Sequence, residues 1–173
     1  KAKEVKGNID ADKNLTDKQK AEQKDAVDKA AVDAKDAIDK AETAQAVEDA
    51  VTTGKANIDA AYKPGSALSG QKTDAKGQID DKAKEVKGNI DADKNLTDKQ
   101  KTDQKAAVDQ AVTAAKGAID QAETAQAVED ALSTGKDQID AAYKPGGPLS
   151  DQKTDAQGQI DDKVKEVKDK IDA

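Results

Sequence analysis

The chain repeats itself with a period of 81 residues. Lys1 to Lys20 reads KAKEVKGNIDADKNLTDKQK, and Lys82 to Lys101 reads the same letter for letter. Roughly four-fifths of positions match between the two copies, and a third, partial copy opens at Lys163. A unit that cannot close a core alone stacks on its neighbours, so the period limits the fold to a tandem array. The array divides into repeat one at 1–81, repeat two at 82–162, and the start of a third at 163–173. Repeat one begins inside its first helix, and the third stretch is the end of a long helix shared with repeat two. The chain reads as a piece cut from a longer array.

Each repeat carries three apolar stripes. In the second copy they are Ile79, Ala83, Val86 and Ile90; then Val108, Val112, Ala115 and Ile119; then Val128, Leu132, Gly135 and Ile139. Every stripe steps by four, three and four, the spacing of one narrow helical face. The stripes predict helices near 70–93, 98–122 and 125–142, with equivalents in repeat one. Thr97 and Gln100 have the spacing of a capping box, as do Thr16 and Gln19. Thr43 and Thr124 are expected N-caps of the third helices. Ser69 and Ser150 are expected N-caps of the helix that follows each Pro-Gly break, at Pro64-Gly65 and Pro145-Gly146. The fold class is therefore all-α: tandem three-helix bundles stacked end to end as an elongated rod. An odd number of helices per repeat sends the chain out at the end opposite its entry. The first half of each long helix is expected on the preceding bundle and the second half on the following one.

Composition narrows the chemistry. The 29 basic residues are all lysine against 36 acidic residues, a net charge of -7. Histidine, cysteine, arginine, tryptophan, phenylalanine and methionine are absent, and Tyr62 and Tyr143 are the only aromatics. Without His or Cys the usual zinc sites and thiol or Ser-His nucleophiles cannot be built. Without Arg no bidentate fork can hold a phosphate. An acidic, Arg-free chain is a poor partner for nucleic acid. No run has the apolar length to span a membrane. Leu, Ile and Val supply only about a seventh of the chain, below the content of an ordinary globular core. That composition suits slender helices with Ala-sized contacts. No catalytic, cofactor-binding or metal residue is assigned, no cofactor is expected, and the chain is not expected to be an enzyme.

Three patterns deserve separate weighing. Asp91-Ala92-Asp93-Lys94-Asn95 opens like a calcium loop, but Leu96 stands where the loop needs glycine and Thr102 where it needs glutamate. Asp10, Asp12 and Asn14 fail in the same way at Leu15 and Ala21. A polar helix end, with Leu96 as a plug before the cap, accounts for it better. Every isoleucine is followed by aspartate, in nine cases from Ile9-Asp10 to Ile171-Asp172. These carboxylates read as the solvated edge of each seam, facing lysines. Tyr62 and Tyr143 read as apolar bodies closing a junction between repeats, hydroxyl to water. Among the glycines, Gly77, Gly88 and Gly117 fall on outer faces, and Gly54 and Gly135 fall inward. There the missing side chain either lets helices approach or is merely a weak spot.

The run Ile90-Asp91-Ala92-Asp93-Lys94-Asn95-Leu96-Thr97-Asp98 is followed by Val108-Asp109, Ala118-Ile119-Asp120 and Thr134-Gly135-Lys136-x-x-Ile139. Together they resemble a tandem helical repeat of unknown function found in giant cell-wall-anchored adhesins of Gram-positive bacteria. Such repeats occur in the staphylococcal extracellular matrix-binding protein and in lactobacillal surface proteins. The resemblance covers both copies and implies an extracellular, wall-anchored stalk that projects a binding domain and supports adhesion or biofilm formation. The partners expected are the neighbouring repeats of the same chain. An alternative is a helical binding module for a host matrix or plasma protein such as fibronectin, fibrinogen or albumin.

Overall fold

The computed structural model describes residues 1–171, so Asp172 and Ala173, with the aspartate of the last Ile-Asp pair and the end of the third repeat, lie outside the described residues. Among the described residues there are seven helices and no strand. They are α1 (Ala2–Ala11), α2 (Asp17–Asp39), α3 (Ala44–Ala60), α4 (Leu68–Ala92), α5 (Asp98–Gln121), α6 (Ala125–Ala141) and α7 (Leu149–Ile171). No helix is long and apolar enough to cross a membrane.

The helix starts follow local chemistry. Thr16 Oγ1 accepts from Gln19 N while Gln19 Oε1 accepts from Thr16 N, a complete capping box for α2. Thr97 and Gln100 reproduce it for α5. Thr43 and Thr124 cap α3 and α6 by accepting from Ala46 N and Ala127 N. Ser69 and Ser150 do not cap. Helices α4 and α7 begin one residue earlier, at Leu68 and Leu149, and place both serines inside the first turn. The first-turn amides close on the carbonyl just before each helix: Gly70 N and Gln71 N donate to Ala67 O, and Asp151 N and Gln152 N donate to Pro148 O. Gln71 Nε2 in turn donates to Ser66 O at 2.8 Å, and Gln152 Nε2 to Gly147 O at 2.8 Å, which ties each helix start to the preceding loop.

Packing divides the chain into two compact units that do not coincide with the sequence period. Among the described residues the first comprises 1–79 and 115–134, the second 80–114 and 135–171. Helix α4 is thus shared, its first half in one unit and its second half in the other. In the first unit, α1, α2 and α3 contact one another pairwise. They enclose Val5, Ile9, Leu15, Val27 and Ile58, with Tyr62 packed against the cluster. The same unit buries Ala75, Ile79, Ala115, Ile119, Ala122, Ala125 and Val128. The second buries Ala83, Val86, Ile90, Leu96, Val108 and Ile139. All four positions of the first stripe are buried, while Val112 and Leu132 of the other two are only half-buried. The large residues are few and alanine fills the rest, so helices must run close together.

Gly54 shows how close. A Cβ on it would overlap the Ala34 methyl on α2. Gly135, its counterpart, is buried as well. Gly77, Gly88 and Gly117 face open space. No described residue has a positive φ, so these inward glycines are there for room and not for backbone freedom. Replacing Gly117 by Ala therefore raises stability by up to about 1 kcal/mol through helix propensity. Gly54→Ala lowers it by about 1–3 kcal/mol because a methyl must be forced between α2 and α3. Urea unfolding of the two variants checks this; equal gains at both sites would refute the close contact.

Candidate functional site

The densest polar arrangement in each repeat is a lock between two loops. In the first unit it begins where α1 ends. Asp12 is the C-cap of α1, with an extended backbone. Its Oδ1 accepts from Asn14 N at 2.8 Å, turning the chain toward α2. Leu15 then plugs the core and Thr16 starts the next helix. Asp12 Oδ2 accepts from Tyr62 Oη at 3.0 Å and from Gly65 N at 3.0 Å, both in the connection between α3 and α4. One carboxylate thereby joins two loops that are 50 residues apart in sequence.

Two glutamines complete the lock. Gln71 Nε2 donates to Asn14 O at 2.9 Å as well as to Ser66 O. Gln23 pairs with the backbone of Lys63 as another strand would: Nε2 donates to Lys63 O at 2.9 Å and Oε1 accepts from Lys63 N at 2.9 Å. Gly65 makes the approach possible, since a Cβ there would overlap Asn14 O. The second unit repeats the set. Asp93 accepts from Asn95 N at 2.8 Å, Tyr143 Oη at 3.0 Å and Gly146 N at 3.0 Å. Gln152 Nε2 donates to Asn95 O at 2.9 Å, and Gln104 pairs with Lys144.

The electrostatics follow from these bonds. Burial pushes the Asp12 carboxyl up, but the N–H groups of Gly65 and Asn14, the Tyr62 hydroxyl and Lys20 outweigh it and hold the group below its ordinary value. Asp93 is likewise held down, first by Gly146 N–H and Asn95 N–H, against a smaller opposing effect of burial. The phenols move the other way. Tyr62 is raised chiefly by its bond to Asp12, and Tyr143 by burial and then by Asp93.

This geometry answers the three patterns of the sequence. Asp91, Asp93 and Asn95 do not converge on one point: Asp93 faces Tyr143 and Gly146, and Asp91 pairs with Lys105. Among the described residues no group of three or more His, Cys, Asp or Glu is placed to hold a metal ion. The aspartates after isoleucine do edge the seams. Asp10 meets Lys24 at 2.8 Å, Asp59 meets Lys1 at 2.9 Å, Asp120 meets Lys76 at 2.7 Å and Asp140 meets Lys82 at 2.8 Å. Each pair crosses between helices and is half-exposed, so it sets register more than stability. The tyrosines close a contact inside one repeat and not a junction between repeats, Tyr62 against Asp12 and Tyr143 against Asp93, and their hydroxyls bond a carboxylate and are not left to water.

The sequence model of a family described as Domain of Unknown Function (DUF1542) matches residues 1–64 and 71–145. The chain belongs to the DUF1542 family. No curated protein and no solved structure matches it. Each matched segment contains one Asp, Asn and Tyr set of the lock, and Gly65 and Gly146 lie one residue beyond them.

The lock gives the DUF1542 fold a signature in pH. Carboxyls lowered in the folded state stabilise it fully above their unfolded value of about 3.9, and that contribution is lost as the pH falls through the lower folded value. Raised phenols stabilise it below about pH 10 and cease to as the pH rises through their higher folded values. Absorbance titration of the two tyrosines should show ionisation above that of free tyrosine, returning to it in denaturant. The Asp12→Asn, Asp93→Asn double variant should melt lower than the parent at neutral pH, with the difference shrinking in acid. Ordinary tyrosine titration in the folded chain would contradict the lock. Melting curves with excess Ca²⁺ and with chelator should overlay; a rise of several degrees would revive the loop at Asp91, Asp93 and Asn95.

Proposed function

We propose that this chain is a structural spacer, a rod-like segment of stacked helical repeats in a bacterial cell-surface adhesin. In this reading it projects a binding domain from the cell wall and performs no catalytic step. The observation that carries it is where the two copies differ. All the lock residues are the same in both: Asp12 and Asp93, Asn14 and Asn95, Gln23 and Gln104, Tyr62 and Tyr143, Gly65 and Gly146, Gln71 and Gln152. Exposed positions outside the identical stretch of 1–20 and 82–101 drift, as in Lys29 against Gln110 and Asp33 against Ala114. A spacer needs joints that repeat and asks little of its outer surface. A binding face would keep its exposed side chains instead. The resemblance to wall-anchored adhesin repeats points the same way and supplies the extracellular setting.

Two measurements test the reading. Small-angle scattering of the monomeric chain should give a radius of gyration well above the roughly 16 Å of a compact chain of this length; a compact profile would remove the rod. In the parent protein, shortening the array should reduce adhesion by drawing the terminal domain into the wall layer. An unrelated helical rod of equal length should restore it. If the substitute fails, or the isolated chain binds a host matrix protein at micromolar affinity or better, the binding-module reading replaces the spacer.

A further inference from the structure

The turn between α1 and α2 is held from two sides. On one side is the lock of its own repeat. On the other is the start of α6, in the next repeat. Ala125 N donates to Lys13 O at 2.8 Å, and Asp17 N donates to Gln126 Oε1 at 2.8 Å. These two bonds make a joint between successive repeats. Ala125 and Asp17 are the first residues of α6 and α2, and the first N–H groups of a helix have no partner inside it. Each side of the joint thus satisfies a helix donor of the other. Asp130 aims Gln126 for this task, since its Oδ1 accepts from Gln126 Nε2 at 2.8 Å.

The lock and the joint share one peptide unit. Its N–H belongs to Asn14 and donates to Asp12 Oδ1 at 2.8 Å. Its C=O belongs to Lys13 and accepts from Ala125 N. The peptide is trans, so the two groups point in opposite directions. A carboxylate that holds the N–H therefore aims the carbonyl at α6. The next peptide is held as well, because Asn14 O accepts from Gln71 Nε2 at 2.9 Å. Asp12 is fixed in turn by Tyr62 Oη and Gly65 N, so the α3–α4 connection acts as a strap on the turn. Lys13 and Asp17 are exposed, and water competes for both joint bonds. The net worth of one such bond is comparable with the entropy of fixing one residue of backbone. A joint that had to order the turn by itself would gain almost nothing. A joint made to a turn already ordered keeps the gain.

We propose that Asp12 is a positioning residue for the joint, so that a repeat holds α6 of its successor only while its own α3–α4 strap is closed on the carboxylate. Lock and joint are then one conformational device. An open strap leaves the Lys13 carbonyl free to turn away, and the next repeat loosens without any helix melting. The coupling runs both ways, because linkage is reciprocal. Docking of α6 steadies the turn and favours the closed strap. This inference goes beyond the spacer reading and holds equally for a binding module, since it concerns how one repeat grips the next.

Amide hydrogen exchange of the full chain, followed residue by residue by NMR, tests it. Asp12→Ala should speed exchange of the Ala125 N–H roughly tenfold. The Ala127 N–H, which donates to Thr124 Oγ1 at 3.1 Å within the same helix start, should stay as protected as in the parent. Tyr62→Phe removes one bond to the same carboxylate without touching α6, and should act in the same direction but less. Val27→Ala controls for simple loss of stability, since Val27 is buried in the core of α1, α2 and α3. It should lower the urea midpoint and leave the ratio of Ala125 to Ala127 exchange unchanged. A double-mutant cycle completes the test. Gln126→Ala should destabilise the parent, and the Asp12→Ala chain much less, whereas uncoupled sites add. Unchanged Ala125 protection, equal acceleration by Val27→Ala, or additive losses in the cycle would overturn the proposal. If Asp12→Ala fails to fold, Tyr62→Phe and its own cycle with Gln126→Ala decide by the same outcomes.

Discussion

Each repeat turns on one carboxylate. Asp12 accepts three hydrogen bonds, from Asn14 N, Tyr62 Oη and Gly65 N, and Asp93 accepts the equivalent three. Bonds to an ionised acceptor are stronger than neutral ones. Here they compensate a shortage elsewhere, for the core holds no Phe, Trp or Met and few large aliphatic residues. Narrow helical stripes alone leave the loops unspecified. The carboxylate decides where the connection after α3 lies against the turn after α1, and so where the next helix starts. Gln71 and Gln23 then secure that start and that connection to the same two loops.

Along the helices a different device sets the register. Alanine-rich seams are smooth and permit sliding, since one small residue fits much like another. The aspartate after each core isoleucine sits where a lysine on the neighbouring helix can meet it, as in Lys24 with Asp10 and Lys76 with Asp120. Such exposed pairs add little free energy. A slipped register would break several together and set like charges opposite each other. Close packing at Gly54 against Ala34 adds a steric stop.

The helices were legible from the sequence because their signals are local. Stripes, capping boxes and Pro-Gly breaks all lie within a turn or two, and α4, α5 and α6 fall within two residues of the spans that periodicity predicts. Leu96 was legible as a plug for the same reason, and Leu15 is buried in the same way. The lock was not legible. Asp12 meets its partners 50 and 53 residues away, and nothing near Asp12 announces a tyrosine. The Asp-x-Asp-x-Asn pattern even suggested different chemistry. Ser69 and Ser150 misled because a serine before an apolar run is a fair cap signal, whereas the first turns close on the backbone carbonyls of Ala67 and Pro148, which no side chain announces. One clue was present. Gln23 and Gln71 persist in the second copy while positions around them change, and a glutamine off the apolar stripe has no local reason to do so.

Every group in the joint between successive repeats recurs with the 81-residue period. Lys13, Asp17, Gln126 and Ala125 make it once within the first unit, and one period away the same residues stand at Lys94, Asp98, Gln45 and Ala44. Such a surface is self-templating. A recombination event that gains or loses one whole period in the gene leaves no mismatched surface inside the folded product, and no second mutation is needed to repair one. Length is then the most evolvable property of a chain built this way, because it can change in large steps without passing through a misfolded intermediate. An insertion of any other size between Asp12 and Gly65, or between Asp93 and Gly146, would shift a carboxylate away from its tyrosine and glycine, so over those spans the lock also acts as a filter on length.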